Sequence, residues 1–420
     1  MGSHMPRFAF EADLPASGSH LVLESGKQFR LDFAGLEALM CSRLPKRTED
    51  LLRIAVAVYA VDRLAKRGNP GGLGRKLALR VPVQEIAFWR GAPKRKVESL
   101  LEALTDDIWD FHFVKDDTPA VSQQYLVSAK EKPIVTLYSG GLDSAAGLAH
   151  VLRGGNPEHP RILVTVWHQH LRKRAVEEQL RVLGERFKCN LSRVIVKTSL
   201  VYPPRMSDQN LLQRARSFLF YMVGGAVALL SGAEQVEVLE NGVGIVNLPL
   251  MCGMFLGARN SRSCHPAVLR LAGELLGLVA ERPLVFATPC ADLTKAEMVK
   301  GMVADGLKDL ARSTVSCVHY PLRRSGPRQC GVCPACVGRI QAMLGAGVVE
   351  PPDAYQRCFA EKSAEIPEDE LRFLKAVLFQ VCQLEDLALD GYLKEFLALH
   401  LGGLAGPVLV QRKMDNVPVE

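Results

Sequence analysis

No Gly-Lys-Ser or Gly-Lys-Thr triplet occurs anywhere in the 420 residues, which argues against a P-loop NTPase and against kinase-type transfer of a γ-phosphate. A secretory signal pattern is also missing. The uncharged stretch from Ser217 to Ala233 contains Gly224, Gly225 and Gly232 and falls short of bilayer length, so it reads as a buried helix. No internal repeat or low-complexity tract stands out. Nor is there a block of one charge: the formal charge of +7 is spread along the chain, which suits anionic nucleotides and permits nucleic acid contact without arguing for it.

What the chain does have is enough apolar content, 48%, to bury a large core, and enough length for two or three domains. Met1-Gly2-Ser3-His4 reads as a cloning remnant, with the natural chain expected to begin near Met5. Eleven cysteines without a secretory signal point to a reducing, cytoplasmic setting, where they serve as thiols or metal ligands.

Three blocks are expected. Residues 5–131 read as a small α+β domain, with strands near His20 to Leu23, Leu77 to Val83, Ile108 to Val114 and Gln124 to Val127, and helices at Glu49 to Arg67 and Pro93 to Leu104. Its basic loop Lys66 to Lys76 could meet an anionic partner or simply be a solvated turn. From 132 to 345, strands at Ile134, Ile162, Leu191, Val236 and Pro283 alternate with helices, which means an α/β fold with a doubly wound parallel sheet and ligands beyond the strands' carboxyl ends. Residues 346–420 read as a helical tail, with amphipathic pieces at Glu368 to Leu389 and Gly391 to Leu401.

The most informative segment is Pro133 to Gly147. An apolar run ends in Ser139-Gly140-Gly141-Leu142-Asp143-Ser144 and becomes a small-residue helix, the pattern of a strand feeding a phosphate-binding helix. Without Cβ atoms, Gly140 and Gly141 let backbone N–H groups approach an anion; Ser139 and Ser144 add hydroxyls, and the helix beginning near Leu142 adds its positive dipole end. Asp143 would repel bare phosphate, so it holds Mg²⁺ or orients the loop, and the magnesium role is preferred. An ordinary tight turn is the alternative.

Other residues follow from the strand-end rule. Trp167, His168 and Gln169 follow the second strand, where they suit a purine ring, although the histidine is equally read as a surface residue. Glu240, Asn241 and Gly242 end the Val236 strand in an abrupt switch to polar chemistry. Arg216 near a helix start, and Arg262 and His265 in a donor-rich loop, suit an anionic or purine ligand, a solvated face being the plain alternative for Arg216. Asp292 or Thr294 would cap the helix after Pro283, and Lys295 would contact ATP phosphates.

Cys317, Cys330, Cys333 and Cys336 form two successive C-x2-C steps with one more cysteine twelve intervening residues upstream, a set able to close around one tetrahedral ion. Zn²⁺ is the first choice, in a structural role. An iron–sulfur cluster is the second, and the ferredoxin run is not completed after Cys336.

The Ser139 to Ser144 loop resembles that of the PP-loop ATP pyrophosphatases, which implies cleavage of ATP between the α and β phosphates. Together with Gln169, the Asp292 to Glu297 element and the four cysteines, in the same order, it resembles 7-cyano-7-deazaguanine synthase (QueC) over roughly Lys132 to Leu344. That resemblance implies ATP, Mg²⁺ and a structural Zn²⁺, and a C–N ligase that adenylates 7-carboxy-7-deazaguanine before ammonia makes the amide and a second activation the nitrile. Catalytic roles then fall to Asp143, Lys295 and Ser144. The longer chain, and the segments at Glu240 to Gly242 and Arg262 to Pro266, look more like the QueC-like proteins of anti-phage operons, the Qat system and type IV CBASS. The resemblance there implies capture of the activated carboxylate by the amino terminus of a partner protein, docked by the added domains. A tRNA-modifying PP-loop enzyme and a catalytically silent scaffold are the remaining readings.

Overall fold

The computed structural model describes residues 9–14, 19–24, 27, 29–32, 36, 44–65, 74–116, 132–167, 173–200, 213–246, 262–320 and 329–357, with isolated positions at 371, 374, 375 and 378. The expected strand near Gln124, the tip of the basic loop at 66–73 and nearly all of the expected helical tail lie outside them.

The first sheet is four-stranded, in the order β2-β1-β4-β5: β1 is Ala9–Leu14, β2 Ser19–Glu24, β4 Lys76–Val83 and β5 Ile108–Lys115. Its antiparallel β1 and β2 precede a parallel β4–β5 pair, whose crossover carries the short helix α2 (Ile86–Trp89) and α3 (Ala92–Thr105). Alternation along β4 and β5 buries Leu77, Leu79, Val81, Trp109, Phe111 and Phe113 on one face, as period-2 sequences require. Helix α1 (Lys46–Leu64) is buried along most of its length.

The second sheet has six strands in the order β10-β9-β6-β7-β8-β3. Five run parallel: β6 Ile134–Leu137, β7 Arg161–Trp167, β8 Leu191–Leu200, β9 Gln235–Val238 and β10 Val285–Ala287. The sixth, β3 (Phe29–Asp32), comes from the amino-terminal block and lies antiparallel on β8. Helices α4 (Leu142–Gly154), α5 (Lys173–Phe187), α6 (Arg216–Ser231), α8 (Pro266–Ala280), α9 (Lys295–Ala304) and α11 (Pro334–Gly345) surround it, with the short α7 (Gly242–Val246) and α10 (Lys308–Ser313) between. Strand order reverses between β6 and β9, which makes their carboxyl ends the switch-point crevice. The mixed α/β class with a parallel sheet is as expected from the alternation.

Two packing facts position this crevice. The uncharged Ser217 to Ala233 stretch is α6, buried between the sheet and its neighbours, and no helix among the described residues is long and apolar enough to cross a membrane. One apolar core runs across both sheets, joining Leu51, Trp89 and Leu100 to Val135, Met222 and Leu275. At the same junction Arg75 binds Asp62 and Asp107 at 2.5 and 2.7 Å, Asp62 accepts the Ala215 N–H at 3.0 Å, and Arg214 reaches Asp106 at 2.7 Å. At this junction the buried charges come paired, which keeps their desolvation tolerable.

Candidate functional site

Strand β6 delivers the chain into Tyr138 and the Ser139-Gly140-Gly141 turn, and α4 starts immediately after. Gly140 has φ +75°, and a Cβ there would lie 2.5 Å from Val176 Cγ2, so both backbone and packing demand glycine. The turn is braced from α5: Tyr138 Oη donates to Gln179 Oε1 at 2.8 Å, and Gln179 Nε2 donates to the Gly140 carbonyl at 3.2 Å. Across the turn the Ser139 and Ser144 hydroxyls lie 2.6 Å apart, and Ser144 Oγ accepts the Ser139 N–H at 3.2 Å. Leu142 anchors the first turn of α4 in the core.

Asp143 is the meeting point of three strand ends. Its Oδ2 lies 3.1 Å from Lys295 Nζ, at the start of α9 beyond β10, and its Oδ1 accepts from Asn241 Nδ2 at 3.0 Å, beyond β9. The same Nδ2 donates to Glu240 Oε1 at 2.6 Å, and Asn241 Oδ1 accepts the Gly244 N–H at 3.0 Å. Gly242 fits because its missing Cβ would stand 2.2 Å from the Ala291 carbonyl oxygen, while its N–H donates to Leu293 O at 2.8 Å. Burial, then the charge of Asp143, pushes the Glu240 carboxyl up to about 7 against the opposing pull of Lys295. For Lys295, burial works to lower the pKa, but Asp143 and Glu240 outweigh it and the ammonium is held above its ordinary value. Thr294 caps α9, with its side chain taking the Glu297 N–H at 3.2 Å in a capping box.

The remaining expected residues go elsewhere. Trp167 ends β7, while His168 and Gln169 lie outside the described residues. Arg216 opens α6 with its guanidinium 5.0 Å above the Phe220 ring. Arg262 is engaged by the amino-terminal block, donating to Ala103 O at 3.0 Å and pairing with Asp106. His265 caps α8, its Nδ1 accepting the Ala267 N–H at 3.2 Å. Sequence reading missed Gln179 and Gly244: neither carries a local signal, and each matters only through a partner brought in by folding.

Behind α9, the Sγ atoms of Cys317, Cys330, Cys333 and Cys336 lie within 4.8 Å of one another, all buried. Tetrahedral zinc with bonds of ~2.3 Å sets its sulfurs ~3.8 Å apart, so the cluster has the size such an ion needs. The Cys330 N–H donates to Cys317 Sγ at 3.4 Å and the Cys333 N–H to Cys330 Sγ at 3.3 Å, the neutralisation a thiolate set requires. Gly331, at φ +88°, makes the turn between ligands. Gln329 locks the base, accepting the Cys317 N–H at 3.2 Å and donating to Thr314 O at 3.1 Å.

A doubly wound sheet with a diglycine strand-to-helix turn at its switch point, backed by a four-cysteine knuckle, defines an α/β protein of the PP-loop type. Comparison with known proteins narrows this. The family model for "Queuosine biosynthesis protein QueC" matches residues 260–347. A 7-cyano-7-deazaguanine synthase of Anaeromyxobacter sp. (strain Fw109-5) is 31% identical over 242 residues, covering 52% of this chain and 95% of that protein. Another, of Acetivibrio thermocellus, is 26% identical over 242 residues, covering 53% of this chain and 98% of that protein. The chain belongs to the QueC family. Nearly half of it lies outside either match.

Proposed function

We propose that this chain uses ATP to activate the carboxylate of 7-carboxy-7-deazaguanine and carries it through the amide to the nitrile; 7-cyano-7-deazaguanine is the product in the names of the two relatives above. The observation behind this reading is the convergence of Asp143, Lys295 and the diglycine turn at one end of the sheet. A carboxylate oxygen attacks the α-phosphorus and pyrophosphate departs with the bond electrons; ammonia then attacks the acyl carbon, loses a proton and expels AMP. The amide oxygen is activated in the same way, and loss of AMP and two protons leaves the nitrile.

The residues divide this work by position. Backbone N–H groups of the turn and the amino end of α4 would cradle the departing pyrophosphate, and Ser139 and Ser144 would supply hydroxyl donors. Lys295 would balance the negative charge that builds on it. Asp143 is partly exposed at the turn and offers the hard oxygen that Mg²⁺ prefers; when bound, the ion would shield phosphate charge. The cysteine set would hold Zn²⁺ as a clamp on the loop after α10.

The test is direct: with ATP, 7-carboxy-7-deazaguanine and ammonium, pyrophosphate and AMP should appear with the nitrile by mass spectrometry. Formation of ADP, or no pyrophosphate, overturns the reading. A second acceptor is favoured by one observation: β1, β2, β4 and β5 build a four-stranded sheet in addition to the six-stranded one, in a chain nearly half of which the relatives do not match. Such a platform suits docking of a partner protein whose amino-terminal amine would replace ammonia, as in anti-phage conjugation. A deazaguanine mass adduct on a co-expressed operon neighbour would then be found in place of free nitrile.

A further inference from the structure

Asn241 sits among groups that look made for substrate, yet both N–H donors of its side-chain amide are already committed within the protein. Its Nδ2 donates to Asp143 Oδ1 at 3.0 Å and to Glu240 Oε1 at 2.6 Å, and its Oδ1 accepts the Gly244 N–H at 3.0 Å. Two partners settle which end of the amide is nitrogen: the Asp143 carboxylate takes a donor and the Gly244 N–H takes an acceptor. The residue is 4% exposed. Both N–H donors are therefore spent within the protein, and the one acceptor lone pair that is left lies on a buried side chain.

We infer that Asn241 is a positioning residue, which fixes the Asp143 carboxylate from the β9 side while Lys295 fixes it from the β10 side. This rests on the reading of Asp143 as the metal-holding acid, and it adds a cause for that acid's orientation. With one oxygen held by Lys295 and the other by the amide, Asp143 cannot swing freely. Glu240 shares the amide's other N–H, so a neutral donor lies between two carboxylates that would otherwise repel. Only an amide does this. A carboxylate in its place would add a third negative charge, and an alanine would leave Asp143 and Glu240 without their common donor.

The measurement is Mn²⁺ affinity in the presence of α,β-methylene-ATP, followed by electron paramagnetic resonance, beside steady-state pyrophosphate release. Loss of an outer-shell partner of a metal-binding acid costs about 10- to 100-fold. Asn241→Ala should therefore weaken Mn²⁺ binding by about 10-fold and lower kcat by a similar factor, leaving KM for the deazaguanine acid within about 2-fold. Asn241→Asp should lower kcat as well, but tighten Mn²⁺ binding, because charge is gained where geometry is lost. Zinc content and thermal melting of both variants check that the chain is folded. If Asn241→Ala binds Mn²⁺ as the parent does, or raises KM for the acid with kcat unchanged, the residue touches substrate and the inference is wrong. Absence of pyrophosphate release from the parent chain would sink the proposed activity alone, since the Mn²⁺ measurement does not depend on turnover.

Discussion

Asp143 is held by a cation on one oxygen and a neutral amide on the other, and this division gives it a defined direction without cancelling its charge. Asp143→Asn keeps the size, but it turns one of two accepting oxygens into a donor that faces Lys295 or Asn241, and it removes the hard anionic ligand. Pyrophosphate release should fall by roughly 100-fold or more while zinc content stays at the parent value, measured by metal analysis. A second residue far from the crevice sets a pH dependence. Asp50 is fully buried in α1, accepting from Gln84 N, Glu85 N and Trp89 Nε1 at 2.8, 3.1 and 3.0 Å. Burial outweighs these donors and pushes its carboxyl up to about 6. Because the folded pKa is raised, the folded state binds the proton more tightly than the unfolded one. Its stabilisation is full below the unfolded pKa and is lost as pH rises towards and through 6. Urea unfolding of the parent against Asp50→Asn should show the parent losing roughly 3 kcal/mol of relative stability between pH 4 and 6, then no further change. A flat difference over that window would show Asp50 to be ionised throughout.

At the scale of elements, the knuckle and α11 behave as one unit. Arg339, fully buried in α11, donates to Ala311 O at 3.0 Å and Thr314 Oγ1 at 2.7 Å, and pairs with Glu350 at 2.7 Å. Cys333 is the residue from which α11 starts, so the ion would fix that start. Cys336→Ser should reduce bound zinc from about one equivalent to well below half and raise hydrogen exchange in 308–320 and 329–345, with β4 and β5 unaffected. Much of this level was legible beforehand: the alternation of β6 to β10 with helices, and the cysteine spacing, are local patterns with local causes. Arg262 reads equally well as a ligand donor, because nothing within a few residues tells a donor that meets a ligand from one that meets Asp106; for His265 the cue is local, since Pro266 opens α8 and the capped N–H is that of Ala267. For Arg262 that distinction depends on partners up to 159 positions away in sequence.

For the whole molecule, the boundary expected near residue 131 is not a gap in packing. Strand β3 completes the far edge of the second sheet, the core is continuous, and Lys96–Glu274 and Arg47–Glu281 pairs cross between the blocks. Such contacts have no local signature, since each half reads as a plausible unit by itself. Removal of residues 5–131 would uncover the apolar faces of α6 and α8, so the shortened chain should aggregate, seen as loss from the soluble fraction and elution in the void volume. A monodisperse, pyrophosphate-releasing fragment would show instead that the amino-terminal block is an attachment.

The close seat of Gly242 against Ala291 has a dynamic corollary. Because the β9 and β10 loops meet there through a close backbone approach and the Gly242 N–H bond to Leu293 O, a shift of either loop is passed to the other, and Asn241 and Lys295 are placed about Asp143 as one unit.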